Sequence, residues 1–186
     1  MKIAVGISGA SGVIYGIRLL EELKNLEIET HLVISHWGEY TIKEETDFKP
    51  EEVRNLAAYC YDENDMAACI SSGSFPLDAM VVAPCSMKTL AGIASGFTDD
   101  LIIRAADVCL KERRKLVLLT RESPLNAIHL ENMLRATNAG AVIMPPVPAF
   151  YTRPVSVEDL INQTVFRLMD QLGVSQAKLK RWQGPA

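Results

Sequence analysis

The stretch KIAVGISGASG at residues 2–12 decides the fold of this 186-residue chain. Its apolar part, residues 3–7, is too short and too unbroken for an amphipathic helix and predicts a buried parallel strand. Small residues at 8–12 predict a tight turn, and helical periodicity follows over residues 13–26. A strand, a glycine-rich turn and a helix in this order are typical of α/β proteins, which bind their ligands beyond the strand ends.

The same pattern recurs along the rest of the chain. Short runs rich in Val, Ile and Leu predict further strands at residues 31–35, 79–83, 116–120 and 141–144. Helical periodicity predicts helices at residues 36–45, 51–59, 89–96, 99–113, 127–138 and 157–172. This alternation predicts a doubly wound parallel α/β sheet in three layers. At about 150 residues per domain, residues 1–186 are expected to form one domain.

Composition and charge exclude several classes of protein. Hydrophobic residues make up 48% and charged residues 23% of the chain, which excludes a disordered or coiled-coil protein. The net charge of −4 argues against a nucleic-acid partner, because the surface as a whole repels phosphate backbones. No uncharged run is long enough to span a membrane or to form the apolar core of a signal peptide. We therefore expect a cytoplasmic protein without a membrane partner.

Cysteines and acidic residues give no metal-binding pattern. Four cysteines lack the spacing of zinc ligands, and we expect them to be reduced and mostly buried. Asp99 and Asp100 lack a further carboxylate one helical turn later, so we assign them to helix capping and not to Mg²⁺. We expect no metal.

Small polar residues follow the first four predicted strands. They stand at residues 8–12, at Ser35, at residues 84–89 and at residues 121–124. Ser86 is placed to cap a helix there, and the basic run at 111–115 is typical of a solvated helix end. Hydroxyls and helix-start amides at neighbouring strand ends suit one phosphorylated ligand.

The glycine spacing of the first turn indicates the kind of nucleotide. Gly6, Gly9 and Gly12 are three and three residues apart, whereas the dinucleotide fingerprint needs two and then three. The second strand also ends in Ser35 and not in the acidic residue that holds an adenine-side ribose. These features argue against NAD and FAD and are compatible with FMN, although glycines that only form the turn remain an alternative.

Taken together, these motifs resemble one family, the UbiX-type flavin prenyltransferases, formerly described as aromatic-acid decarboxylases. The matching segments are GISGASG at 6–12, EETD at 44–47, SSGSF at 71–75, PCSMKTLAG at 84–92, RAADVCLKERRKLVLLTRESPL at 104–125, IHLENML at 128–134, PPVPAFYTRP at 145–154 and RWQG at 181–184. The resemblance implies a flavodoxin-like homo-oligomer, usually a dodecamer, with FMN at a subunit interface. It also implies that dimethylallyl monophosphate alkylates reduced FMN at N5 and C6 without a metal, which gives the cofactor of UbiD-type decarboxylases.

The resemblance also assigns residues to the site. The implied FMN-binding residues are Gly9, Ala10, Ser11, Ser35, Ser86, Met87, Lys88, Thr89 and Arg121. The implied prenyl-phosphate residues are Lys111, Glu122, Tyr151 and Arg167. In this resemblance Ser11 and Glu45 handle the proton lost from the flavin, and Glu122 protonates the leaving phosphate. Met66 stands where some relatives place a Trp, so the shape of the prenyl pocket is left open.

Two rival functions share the expected fold. An FMN-dependent cysteine decarboxylase would use a His base and a P-x-M-N-x-x-M-W segment, and the chain contains neither. An FMN carrier without chemistry would explain the hydroxyls at the strand ends, but not the prenyl-phosphate residues.

Overall fold

Six parallel strands form one sheet within residues 1–184, the part of the chain that the computed structural model describes. The strands are β1 (Lys2–Ile7), β2 (Glu29–Ile34), β3 (Tyr59–Tyr61), β4 (Ala79–Cys85), β5 (Lys115–Thr120) and β6 (Val142–Ile143). Their spatial order is β3-β2-β1-β4-β5-β6. The order reverses between β1 and β4, and ligands of such sheets bind outside the carboxyl ends of the strands at this topological switch point.

The five predicted strands are confirmed as β1, β2, β4, β5 and β6. Numbered among themselves they stand in the order 2-1-3-4-5, which is the flavodoxin-like order. The doubly wound flavodoxin-like prediction is therefore confirmed.

One strand was missed, and one helix was predicted too long. The predicted helix at 51–59 is only a short helix, α3 (Pro50–Arg54), and β3 begins at Tyr59. This strand adds to the sheet by pairing with residues 31–33 of β2. Its sequence, Tyr-Cys-Tyr, has no run of Val, Ile or Leu, because an edge strand with exposed residues needs no apolar pattern.

Helices connect the strands and cover both faces of the sheet. Besides α3 they are α1 (Val13–Asn25), α2 (His36–Glu45), α4 (Met87–Ser95), α5 (Leu101–Lys111), α6 (Ala127–Ala139) and α7 (Val157–Leu172). Five of them begin behind a side chain that accepts a hydrogen bond from a backbone N–H of the first turn. These N-caps are Ser35, Ser86, Asp100, Asn126 and Ser156. Side chains that compete with the backbone in solution thus mark where the helices start.

Two apolar layers lie on opposite faces of the sheet because successive strand residues point in opposite directions. Ile3, Val5 and Ile7 of β1 belong to the layer that α1 and α7 cover. Ala4 of the same strand belongs to the layer beneath α4, α5 and α6. The prediction of three layers is confirmed.

The expectation for the cysteines is correct in one respect and wrong in another. All four are free thiols. Cys85 and Cys109 are buried, but Cys60 and Cys69 are exposed, so the cysteines are not mostly buried. As for membranes, none of the helices within residues 1–184 is long and apolar enough to cross one.

Helix α1 crosses β4 so closely that Gly16 has no room for a side chain. A Cβ there would lie 2.2 Å from the carbonyl oxygen of Ala83. Although Ala favours an exposed helix, we expect Gly16→Ala to destabilise the protein by about 1–3 kcal/mol, the usual cost of overpacking a core. The midpoint of chemical denaturation measures this change.

Gly92→Ala in α4 is the matched control for this substitution. Its nearest atom is the movable Cδ1 of Ile103, at 2.5 Å, so we expect a smaller loss. A Gly16→Ala protein as stable as the wild type would contradict the described packing of α1 on β4.

Candidate functional site

A buried hydroxyl joins the ends of β1 and β4 at the switch point. Ser8 Oγ donates to the carbonyl oxygen of Pro84 at 2.9 Å and accepts from the backbone N–H of Ser86 at 2.8 Å. Ser8 is 1% exposed, so these bonds form away from solvent. They fix the loops that follow β1 and β4 relative to each other, and these two loops flank the cleft described next.

A cleft of about 670 Å³ opens above this junction. Its lining residues are Gly9, Ser35, His36, Trp37, Glu63, Asn64, Ser86, Met87, Lys88, Thr89, Asp99, Asp100 and Glu122. Six of the predicted FMN-binding residues are among them. Ala10 and Ser11 follow Gly9 in the first loop, and Arg121 precedes Glu122, so these three adjoin the cleft without lining it.

Two helices begin in this cleft. Ser35 Oγ accepts from the N–H of Gly38 at 3.0 Å in α2, and Ser86 Oγ accepts from the N–H of Thr89 at 3.2 Å in α4. The positive end of the helix dipole makes each N-terminus favourable for an anion, and in α2 the Glu63 carboxylate already accepts from the N–H of His36 at 2.8 Å. Gly9 brings the first loop against α2, where a Cβ would lie only 2.3 Å from Cβ of Trp37.

Lys88 is the cation of the cleft wall. Its Nζ lies 2.9 Å from Asp100 and 3.6 Å from Asp99. Burial alone would lower the pKa of Lys88, but the two carboxylates outweigh it and raise the pKa, so the ammonium stays charged.

Asp100 also accepts from the N–H of Ile103 at 2.9 Å, which confirms the predicted capping role for Asp100, whereas Asp99 pairs with Lys88 and caps no helix. Among the described residues, no group of three or more His, Cys, Asp and Glu side chains is placed to hold a metal ion.

The two predicted proton-handling residues lie at the same loop. Glu45 ends α2, and its Oε2 accepts from the N–H of Gly12 at 2.7 Å. Ser11 directly precedes that glycine. A carboxylate and a hydroxyl that are 34 residues apart in sequence thus meet beside the cleft.

A second pocket, of about 240 Å³, lies beyond the end of β6. It is lined by Met144, Pro145, Val147, Ala149, Tyr151, Gln163, Thr164 and Arg167. It brings together Tyr151 and Arg167, two of the predicted prenyl-phosphate residues. Strand β6 is two strands from β4, about 10 Å across the sheet, and the pocket and the cleft both lie at the carboxyl ends of the strands.

Lys111 lies elsewhere in the chain. It ends α5 just before β5, so the length of that strand, roughly 20 Å, separates it from Glu122. It pairs with Glu112 and lies against Gly73. One copy of the chain therefore does not bring Lys111 together with Tyr151, Arg167 and Glu122.

Some lining residues were missed at the level of sequence. Glu63 and Asn64 follow β3. The Glu63 carboxylate accepts from the N–H of His36 at 2.8 Å, and its backbone carbonyl accepts from the N–H of Leu101 at 2.7 Å, so Glu63 connects the starts of two helices. The polar run at 62–65 would have indicated a strand-end loop if β3 had been recognised. Gln163 of the smaller pocket belongs to a helix face and carries no motif.

Comparisons with known proteins agree with this geometry. A family model described as Flavoprotein matches residues 1–169. A probable UbiX-like flavin prenyltransferase from Bacillus subtilis is 57% identical over 184 residues, which cover 99% of this chain and 90% of that protein.

Two solved structures are also similar over the full length. The crystal structure of AnUbiX (PadA1) in complex with FMN and dimethylallyl pyrophosphate is 57% identical, with a TM-score of 0.97, and the match covers 100% of this chain and 98% of that one. A dodecameric FMN-dependent UbiX-like decarboxylase from Escherichia coli O157:H7 is 50% identical, with a TM-score of 0.96, over 99% and 100% of the two chains. Since the strand order, the cleft and the relatives agree, this chain belongs to the UbiX family of flavin prenyltransferases.

Proposed function

We propose that this flavin prenyltransferase joins the dimethylallyl group of dimethylallyl monophosphate to N5 and C6 of reduced FMN. One observation carries the proposal. The cleft with two helix N-termini and the smaller pocket with Arg167 and Tyr151 both lie at the carboxyl ends of the strands. The similar AnUbiX (PadA1) was crystallised in complex with FMN and dimethylallyl pyrophosphate, which are ligands of these two kinds.

The cleft fits FMN in size and in chemistry. Its volume of about 670 Å³ lies within the usual range for a cofactor site. The residues assigned to hold FMN are Gly9, Ala10, Ser11, Ser35, Ser86, Met87, Lys88, Thr89 and Arg121. Reduced FMN supplies, when bound, the nucleophilic N5 and C6 atoms. Residues 1–186 act as one unit in this proposal, because a single sheet positions all of these residues.

The smaller pocket suits the phosphate end of the prenyl substrate. Breaking the allylic C–O bond develops negative charge on the phosphate, which a guanidinium and a phenol hydroxyl stabilise. Arg167 and Tyr151 provide these groups, and Glu122 is the proposed acid that protonates the leaving phosphate. The pocket volume of about 240 Å³ suits a single phosphate group.

Glu45 is the proposed base that removes the C6 proton, with Ser11 assisting it. The hydrogen bond from the Gly12 N–H holds Glu45 at the loop that contains Ser11. A carboxylate fixed in this way needs no rearrangement before it accepts a proton.

Lys111 joins this site from a neighbouring copy of the chain in our proposal. Lys111 lies at the amino ends of the strands, and the E. coli relative is dodecameric. Both observations support a site shared between subunits of a homo-oligomer, for which we propose a dodecamer. Arg104 and Arg114 lie near it, donating to the backbone of residues 71–75, so this edge is basic.

Two alternatives are not favoured. An FMN carrier or a cysteine decarboxylase of the same fold would leave the pocket with Tyr151 and Arg167 unexplained. The relative from Bacillus subtilis, at 57% identity, is a probable flavin prenyltransferase. We propose that the product serves a UbiD-type decarboxylase.

Substitution of Lys111 or Arg167 by Ala is expected to slow prenyl transfer about a hundredfold, because each removes a cation that stabilises the leaving phosphate. FMN content should change little. Single-turnover flavin absorbance measures the rate. Lys115→Ala is the matched control, since Lys115 belongs to the same basic run but starts β5.

Mixed oligomers test whether the site is shared. When Lys111→Ala and Arg167→Ala chains are co-expressed, some sites receive an intact residue from each copy, and activity should partly return. Near-normal rates for both single variants would show that Lys111 and Arg167 do not bind the prenyl phosphate. A mixture as inactive as its components would show that the two residues do not form one site between subunits.

Prenyl transfer is expected to proceed unchanged in excess EDTA. The described residues offer no carboxylate cluster for Mg²⁺, and basic side chains stabilise the monophosphate instead. Rates with EDTA and after addition of Mg²⁺ measure this. A loss of activity that Mg²⁺ restores would contradict it.

The purified protein is expected to release no CO₂ from a cinnamic-type acid, although the E. coli relative is called a decarboxylase. CO₂ should appear only when an apo UbiD-type enzyme, FMN, a reductant and dimethylallyl monophosphate are added together. Omission of the prenyl phosphate is the control. Release of CO₂ by the protein alone would show that it decarboxylates acids itself.

A further inference from the structure

One carboxylate, that of Asp170 on α7, holds two guanidinium groups beside the smaller pocket. Asp170 Oδ2 accepts from Arg167 Nη1 at 2.6 Å, one helical turn earlier. Its two oxygens also accept from Arg181, at 2.6 and 3.1 Å. Arg181 belongs to the segment that follows α7, here called the C-terminal segment and described over residues 175–184.

We propose that Asp170 is a positioning residue for the prenyl phosphate, which orients the Arg167 guanidinium and holds the C-terminal segment against Tyr151 and Gln163 of the pocket. The proposal rests on the proposed role of Arg167. Its new element is that a carboxylate outside both cavities sets how well the phosphate is bound.

The free donors of Arg167 are what this carboxylate orients. A guanidinium has five N–H donors in a rigid fork, and Asp170 engages one nitrogen of it. Within residues 1–184 the other donors of Arg167 form no hydrogen bond, so they are available to a phosphate. The Arg167 side chain is 50% exposed, and without a fixed partner it would sample many rotamers.

The C-terminal segment has several further anchors on the body of the protein. Gln163, which is 8% exposed, donates to the carbonyl oxygen of Lys180 at 3.0 Å and to the hydroxyl of Tyr151 at 3.4 Å. Trp182 packs edge-on against the ring of Tyr151, with centroids 6.0 Å apart. Lys178 pairs with the buried Glu22 of α1 at 2.7 Å. The segment therefore lies directly against a residue of the smaller pocket.

Asp170 remains ionised while it does this. Hydrogen bonds from Arg181, together with the charge of Arg167, lower the pKa of Asp170. Its negative charge also opposes an incoming phosphate, so loss of Asp170 has two opposite effects. The Asp170 charge is already paired with two guanidinium groups, so its repulsion of a phosphate is weak. Its loss, by contrast, frees both Arg167 and the segment that contacts Tyr151. We therefore infer that the positioning effect prevails.

The experiment compares Asp170→Asn with the wild type in two independent assays. In steady-state kinetics, KM for dimethylallyl monophosphate should rise about tenfold, since hydrogen bonds between charged groups contribute at least that much to binding. The value of kcat should fall less than in Arg167→Ala, because the guanidinium is misoriented and not removed, and FMN content should stay close to wild type. In limited trypsin digestion without any ligand, cleavage after Lys178 should become faster. Asp170→Glu should restore part of both properties.

Two further variants separate the roles of Asp170. Arg181→Gln frees the C-terminal segment but leaves Arg167 paired, so digestion should speed up while KM rises less than in Asp170→Asn. Glu51→Gln on α3 breaks an ion pair of the same i,i+3 spacing, Arg54 with Glu51 at 3.2 Å, away from the C-terminal segment, and should change neither property.

An unchanged or lower KM in Asp170→Asn would overturn the proposal, because the carboxylate would then only compete with the phosphate. Digestion as slow as in the wild type would overturn the fastening of the segment. If the wild type itself transferred no prenyl group, the proposed function would fail, but the digestion result would still report on Asp170 and Arg181.

Discussion

The rest of the site depends on the hydroxyl of Ser8, which joins the ends of two parallel strands. It accepts from the N–H of Ser86 and donates to the carbonyl oxygen of Pro84, which also accepts from the N–H of Ser8 at 3.2 Å. An unpaired buried backbone group costs about 1–3 kcal/mol, so this bridge also keeps the ends of β1 and β4 in one arrangement. The loop that carries Gly9 and the start of α4, which both line the cleft, are therefore fixed relative to each other.

The charge around this cleft explains why backbone amides matter so much. Four carboxylates line it, those of Glu63, Asp99, Asp100 and Glu122, against the single ammonium of Lys88. Acidic side chains repel a phosphate, and Lys88 is already paired with two of them. The favourable potential for an anion comes instead from the positive dipole ends of α2 and α4, of which the α2 end already holds the Glu63 carboxylate. Neighbouring copies of the chain are the proposed source of further cations.

Parallel topology also divides the prenyl-phosphate residues. All strands run in the same direction, so residues that follow strands gather at the carboxyl ends of the strands and residues that precede strands gather at the amino ends. Glu122 follows β5, whereas Lys111 precedes it. A single chain with this fold keeps these two residues apart, and association of several chains is the way to unite them. Because β5 separates Lys111 from Glu122, the proposed catalytic site needs the association of several chains.

Local sequence determined much of this protein. Five strands were predicted correctly because buried parallel strands are short runs of Val, Ile and Leu. The caps Ser86 and Asp100 were predicted because each bonds to an N–H only three residues away. Contacts between distant segments were decided by the tertiary structure alone. The edge strand β3 forms because β2 offers it unpaired backbone groups, and its own sequence has no strand pattern. Arg181 meets Asp170 because the C-terminal segment folds back, a contact that no local periodicity encodes.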